Sequence, residues 1–105
     1  MAEPFARPGT PLCVVSLTYR ADLDAIDAAM SEHVAWLSRG YAEGLFLASG
    51  RKVPRDGGVI LVRGHKREVE ALVATDPFVA GGLATASVVE FTASMAAPAL
   101  AELLA

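Results

Sequence analysis

At 105 residues the chain has the usual size of one domain, long enough to bury roughly 60–70% of its unfolded surface without a disulfide or a metal. Hydrophobic residues make up 53% of it and charged residues 20%, an apolar excess over ordinary domains that implies surface covered by a partner. Nine basic residues against twelve acidic ones, a net charge of −3, argue against a nucleic-acid binder, which would carry a basic face.

The opening residues, MAEPFARPGTP, are broken by Pro4, Pro8 and Pro11 and hold no apolar h-region. Residues 1–11 are expected as a mobile or extended lead-in, neither signal peptide nor membrane span. A single domain over residues 12–105 then follows. Cys13 is the only cysteine, so no intrachain disulfide can form, and a reducing compartment, the cytoplasm, is expected. PLCVVSLTY is a β-branched, apolar run of strand length. From Asp22 the period changes: Leu23, Ile26, Met30, Val34, Leu37 and Tyr41 recur every three or four residues, the stripe of an amphipathic helix. Asp22, Asp24 and Asp27 suit the positive end of its dipole, and Arg39 with Gly40 marks its end.

GLFLASG and GGVILVRG read as a second and a third strand around the loop RKVPRD, followed by a helix over roughly residues 65–74. Asp76 then opens a short helical turn closed by Gly81 and Gly82, ATASVVEFT is a fourth strand, and MAAPALAELLA could dock as a final helix through Leu100, Leu103 and Leu104. The order strand, helix, strand, strand, helix, strand is the α+β, ferredoxin-like arrangement βαββαβ with a four-stranded antiparallel sheet. In a sheet with one wet face, apolar and polar residues alternate. Leu12–Val15, Leu45–Ala48 and Val59–Val62 are instead unbroken apolar runs. Two main helices cover one face, so the other is expected to pack on a second copy, in a homodimer or a higher oligomer built on it.

Asp76, in TDPF, has two readings. It can be a helix cap, since Asp accepts a backbone N–H and proline suits the first helical position. It can also be a carboxylate that orients a histidine. His33, in MSEHVAWL, borders the apolar stripe and is either a hydrogen-bonded core residue or a general base. Spacing alone does not bring the two together. Ser49 and Gly50 end the second strand, before Arg51, Lys52 and Arg55. That segment is either a solvated hairpin or an anion anchor with arginine as a two-pronged donor. His65, beside Lys66 and Arg67, is expected to face solvent, and Cys13 to be a small buried hydrophobe. Neither histidine has a second ligand at helical spacing, so no metal site is expected. The RNA-recognition motif shares this element order but needs aromatic residues on its first and third strands; LCVVSL and GGVILV have none.

LCVVSLTYRA, EHVAWL, GLFLASGRKVPRDGGVILV, DPFVAGGLA and VVEF together resemble the YciI-like (YCII-related) proteins of the dimeric α+β barrel superfamily, from about Leu12 to Pro98. The resemblance implies a sheet packed face to face with a partner's, and maps the family's His–Asp pair to His33 and Asp76 in a cavity between sheet and helices. It maps the Ser-Gly segment to Ser49 and Gly50 beside that cavity. Family members commonly carry proline after Ser-Gly, where this chain has Arg51.

The leading expectation is a small, cofactor-independent enzyme working by acid–base chemistry of the lyase, isomerase or dehalogenase type on a small, for instance aromatic, molecule. His33 would move a proton, Asp76 would orient His33, and Ser49 with Gly50 and Arg51 would position the ligand. The alternative is a dimeric module that binds a small ligand or accessory partner without turnover. Neither reading involves nucleic acid or a membrane.

Overall fold

A computed structural model describes residues 3–105. Its elements run β1 (Thr10–Tyr19), α1 (Leu23–Ala28), α2 (Met30–Ala42), β2 (Phe46–Arg51), β3 (Gly57–Arg63), α3 (Lys66–Val73), α4 (Pro77–Ala80), β4 (Ala84–Ala93) and α5 (Pro98–Leu104). The four strands form one antiparallel sheet in the order β2–β3–β1–β4, which is the ferredoxin-like topology. The apolar runs supply the two central strands, whose side chains enter the core on one pleated face and leave an apolar surface on the other. Ahead of β1, Ala6 exchanges two backbone hydrogen bonds with Ala96 and so ties the lead-in to the segment after β4. Among the described residues no helix is long and apolar enough to cross a membrane.

The first helix departs from expectation in three ways. It is two helices, because Ala29 leaves helical geometry (φ −96°, ψ 1°) between α1 and α2. Asp22 caps α1 by accepting from the Ala25 N–H at 2.9 Å. The break lets Ile26 pack with Phe78 and Ala84 in a small cluster of their own, while Trp36 of α2 enters the main core.

The helix also runs past Gly40. A Cβ there would lie 2.1 Å from the Phe46 ring, so Gly40 answers to packing rather than to capping. The chain turns at Gly44 (φ +74°), whose N–H bonds the Tyr41 carbonyl while the Leu45 N–H bonds that of Gly40, a Schellman end.

Third, α2 buries His33, Trp36 and Gly40. The expected stripe is rotated: Val34 and Tyr41 are exposed, while Met30, Val34 and Leu37 wall a cavity.

On the helix-bearing face of the sheet, Cys13, Val15 and Leu17 of β1 pack with Ile60 and Val62 of β3 and with Val69 and Val73 of α3. On the other face α5 covers one corner, where Leu104 packs on Leu12 and Ala93. Leu103 of the same helix is exposed. The rest of that face, with Val14, Val59, Val89 and Phe91 on three neighbouring strands, is open.

Candidate functional site

The cavity lies between α2 and the β1–β3–β2 half of the sheet and measures about 280 Å³. That is just under the ~300–1,000 Å³ of pockets for drug-sized ligands, so it suits a molecule of about one substituted ring. Leu17, Met30, Leu37, Ile60 and Phe78 give it apolar walls, and His33, Ser49, Gly50 and Arg51 border it. Gly57 and Gly58 border it as well. A Cβ on Gly57 would strike the Leu17 carbonyl at 1.8 Å, so glycine there lets the chain come close to β1.

Asp76 is fully buried and stands behind His33 rather than on the cavity wall. Its extended backbone caps α4, with Pro77 at the first helical position. Oδ1 accepts from the Phe78 N–H at 3.0 Å and lies 2.7 Å from His33 Nδ1. Both roles of the carboxylate thus meet on one oxygen, while Oδ2 is buried without a partner among the described residues. With Asp76 ionised the carboxylate only accepts, and Nδ1 then carries the hydrogen. Nε2 makes no hydrogen bond among the described residues and belongs to the side chain that borders the cavity.

Aromatic rings hold the imidazole in place. Phe78 stacks on it at 4.0 Å and 11°, and Trp36, one helical turn on, stands at 6.0 Å. Trp36 Nε1 donates to Thr75 Oγ1 at 2.9 Å, and Thr75 Oγ1 donates to the Leu72 carbonyl at 2.6 Å. Successive turns of α2 therefore grip successive residues of the α3–α4 link, Thr75 and Asp76. Trp36 and Thr75 were not singled out in the sequence. The signal was a tryptophan three residues from the candidate histidine, on the same helix face.

At the other end of the cavity Tyr41 Oη and Ser49 Oγ lie 2.7 Å apart, so the Ser49 hydroxyl is already oriented from α2. Arg51 borders the cavity without an ion-pair partner among the described residues. Arg55 instead reaches Asp27 and ties the β2–β3 loop to α1. That hydrogen bond holds the Asp27 carboxyl below the usual carboxylate range.

His65 is largely exposed, with Nδ1 3.5 Å from Glu90 Oε2. Glu90 also accepts the Lys66 N–H and caps α3 from β4, since His65 gives that helix no side-chain cap. Cys13 is buried and its thiol donates to the Gly64 carbonyl at 3.3 Å. Among the described residues no three His, Cys, Asp or Glu side chains come together as metal ligands.

Comparison with known proteins agrees with this architecture. A solved structure of 5-chloro-2-hydroxyhydroquinone dehydrochlorinase (TftG) from Burkholderia phenoliruptrix AC1100, in complex with 2,5-dihydroxybenzoquinone, superposes with a TM-score of 0.63 at 19% identity. The alignment covers 76% of this chain and 90% of that one, and the likeness is one of fold. Among curated proteins none matches. The model of the YCII-related domain matches residues 12–92, and the chain belongs to the YCII-related family.

Proposed function

We propose that the chain is a cofactor-independent enzyme that uses His33 and Asp76 for acid–base chemistry on a small, ring-sized molecule. The observation that carries this reading is the 2.7 Å contact between His33 Nδ1 and a fully buried Asp76, made by an imidazole that borders an apolar cavity. With Nδ1–H given to the carboxylate, Nε2 is the atom left to take a proton from a ligand and return it. Asp76 orients the ring and stabilises the imidazolium that forms, as the carboxylate does in other His–Asp pairs. Ser49, Gly50 and Arg51 meet the ligand at the far end.

The chemistry is of the lyase, isomerase or dehalogenase type, in which a proton leaves carbon or oxygen while a double bond moves or a leaving group departs. The similar structure is that of a dehydrochlorinase with a quinone bound, and loss of HCl from a chlorinated hydroquinone is such a reaction: a base takes the proton and chloride leaves with its electron pair. A homodimer is part of the proposal, because four apolar side chains stand open on the sheet face that α5 leaves bare. The cytoplasm is the proposed location.

The test is a turnover screen of chlorinated hydroquinones, phenols and small enolisable acids, read by chloride release or by ultraviolet absorbance. We expect turnover of at least one class, and a loss of roughly 10²-fold or more in His33→Ala, the scale of general acid–base catalysis. Ligand binding at His33 without turnover of any class would leave the non-catalytic binding module as the function.

A further inference from the structure

We infer that the cavity is built for a carboxylate monoanion with an apolar, ring-sized body, and that Arg51 receives the carboxylate. This rests on the proposed reading of the cavity as the ligand site. Among the described residues that border the cavity Arg51 is the one that carries a permanent charge, and no acid is among them. A single cation at the rim of an apolar cleft, with no acid beside it on the cleft wall, draws an anion toward the cleft through its field.

Arg51 is also uncommitted. Its cross-strand neighbour on β3 is Gly58, which has no side chain to cover or pair the guanidinium. Asp27, the nearby acid, is taken by Arg55. Arg63 and Arg20 are engaged elsewhere, at the Leu103 carbonyl and Thr85 Oγ1.

A guanidinium offers two parallel N–H donors that match the two oxygens of a carboxylate, which a neutral amide or a lone hydroxyl does not. Seated there, the ligand would lay its body along Met30 and Leu37 and reach toward His33. Its ring-sized limit comes from the cavity volume, about 280 Å³.

The experiment is a titration of the full chain with benzoate and phenylacetate against benzamide and phenylacetamide, by calorimetry and by nuclear magnetic resonance of the His33 ring. We expect each carboxylate to bind at least about tenfold tighter than its amide, roughly the 1.4 kcal/mol of one charge-assisted contact. Arg51→Gln should remove that preference and leave the amides unchanged, and Arg51→Lys should restore part of it. Arg51 is exposed on an edge strand, and an unchanged melting temperature without ligand would certify the fold of both variants. If acids and amides perturb His33 equally, or Arg51→Gln keeps the acid preference, the inference is wrong while the cavity remains a ligand site. If no probe of either kind perturbs His33, the reading of the cavity falls and this inference with it.

Discussion

His33 and Asp76, 43 residues apart in sequence, meet at 2.7 Å through Nδ1 and Oδ1, and the same Oδ1 holds the first turn of α4 through the Phe78 N–H. Cap and orienting carboxylate are therefore one group. The arrangement separates two substitutions that look alike on paper. Asp76→Asn keeps an oxygen for Phe78 N–H and for His33 Nδ1–H, and Asn caps about as well as Asp, so the melting temperature should barely move. The negative charge is gone, so turnover should fall. Asp76→Ala loses the cap as well and should cost about 0.5–2 kcal/mol. His33→Ala leaves a buried carboxylate short of a partner and should cost about 3–5 kcal/mol, the scale of breaking a buried charged pair. For turnover, the double variant His33→Ala, Asp76→Asn should be little worse than His33→Ala. A fully active Asp76→Asn protein would reduce Asp76 to a helix cap.

Gly40 and Gly44 offer a test of why α2 ends where it does. Gly40→Ala puts a methyl 2.1 Å from the Phe46 ring, and overpacking of this kind costs about 1–3 kcal/mol. Gly44→Ala meets open space but sits at φ +74°, where a side chain costs about 1–2 kcal/mol of backbone strain. The losses look similar in a melting curve but differ in cause. Pairing each with Phe46→Leu separates them: the smaller side chain should relieve Gly40→Ala and leave Gly44→Ala as it was. Equal behaviour in the two backgrounds would show that Phe46 does not set the Gly40 position.

The strands were legible because their apolar runs, facing the core on one side and an open apolar face on the other, are a signal that lies within each segment. Topology followed from their order. What the sequence misplaced depends on contacts between segments. Gly40 reads as a helix stop, but its reason is the Phe46 ring. The stripe of Met30, Val34 and Leu37 reads as core, yet it walls the cavity, while Trp36 and His33 take the buried side. A helix with apolar residues facing both a core and a ligand cavity has two overlapping stripes, and periodicity reports their sum. His33 and Asp76 were identifiable as candidates from their own positions, at the border of a helix stripe and at a helix start. Their contact was not, because α2 and α4 meet only once the sheet has brought them together. The same holds for Arg55 with Asp27 and Glu90 with the start of α3.

Glu90 gives the fold a local sensitivity to acid. Its carboxylate accepts the Lys66 N–H and lies beside His65, contacts that lower its pKa from the ordinary 4.5. A carboxyl with a depressed pKa in the folded state binds its proton more readily when unfolded. Its stabilisation is thus complete above the unfolded value and is lost as pH falls through the folded one. The melting temperature should drop as pH goes from about 5 to about 3, and drop less in Glu90→Gln, which still accepts the Lys66 N–H but does not titrate. Asp27, lowered in the same way by Arg55, should leave a residual slope. An identical slope in wild type and Glu90→Gln would remove Glu90 from the account.

The open sheet face carries the prediction of a homodimer. Val89 is 63% exposed on β4, and Val14, Val59 and Phe91 lie around it on the same face. Side chains of this size each gain about 1.5–3 kcal/mol when fully buried, and among the described residues no element other than α5 is on that face to bury them. A second copy laid sheet to sheet would do so. An interface of the obligate kind buries on the order of 2,000 Å² or more in total. The corner filled by Leu104 and Leu12 limits where the partner can sit, which places Val89 and Val14 nearer its centre than Leu12. Val89→Glu should therefore break the dimer, because a carboxylate taken into an apolar interface costs several kcal/mol without a partner. Arg39→Glu, on the helix side of the sheet, changes charge in the same direction and should leave the dimer intact. Sedimentation of the three proteins at micromolar concentration checks this. A wild-type chain that sediments as a folded monomer would mean that the apolar face has some other cover, and a dimer that survives Val89→Glu would place the interface elsewhere.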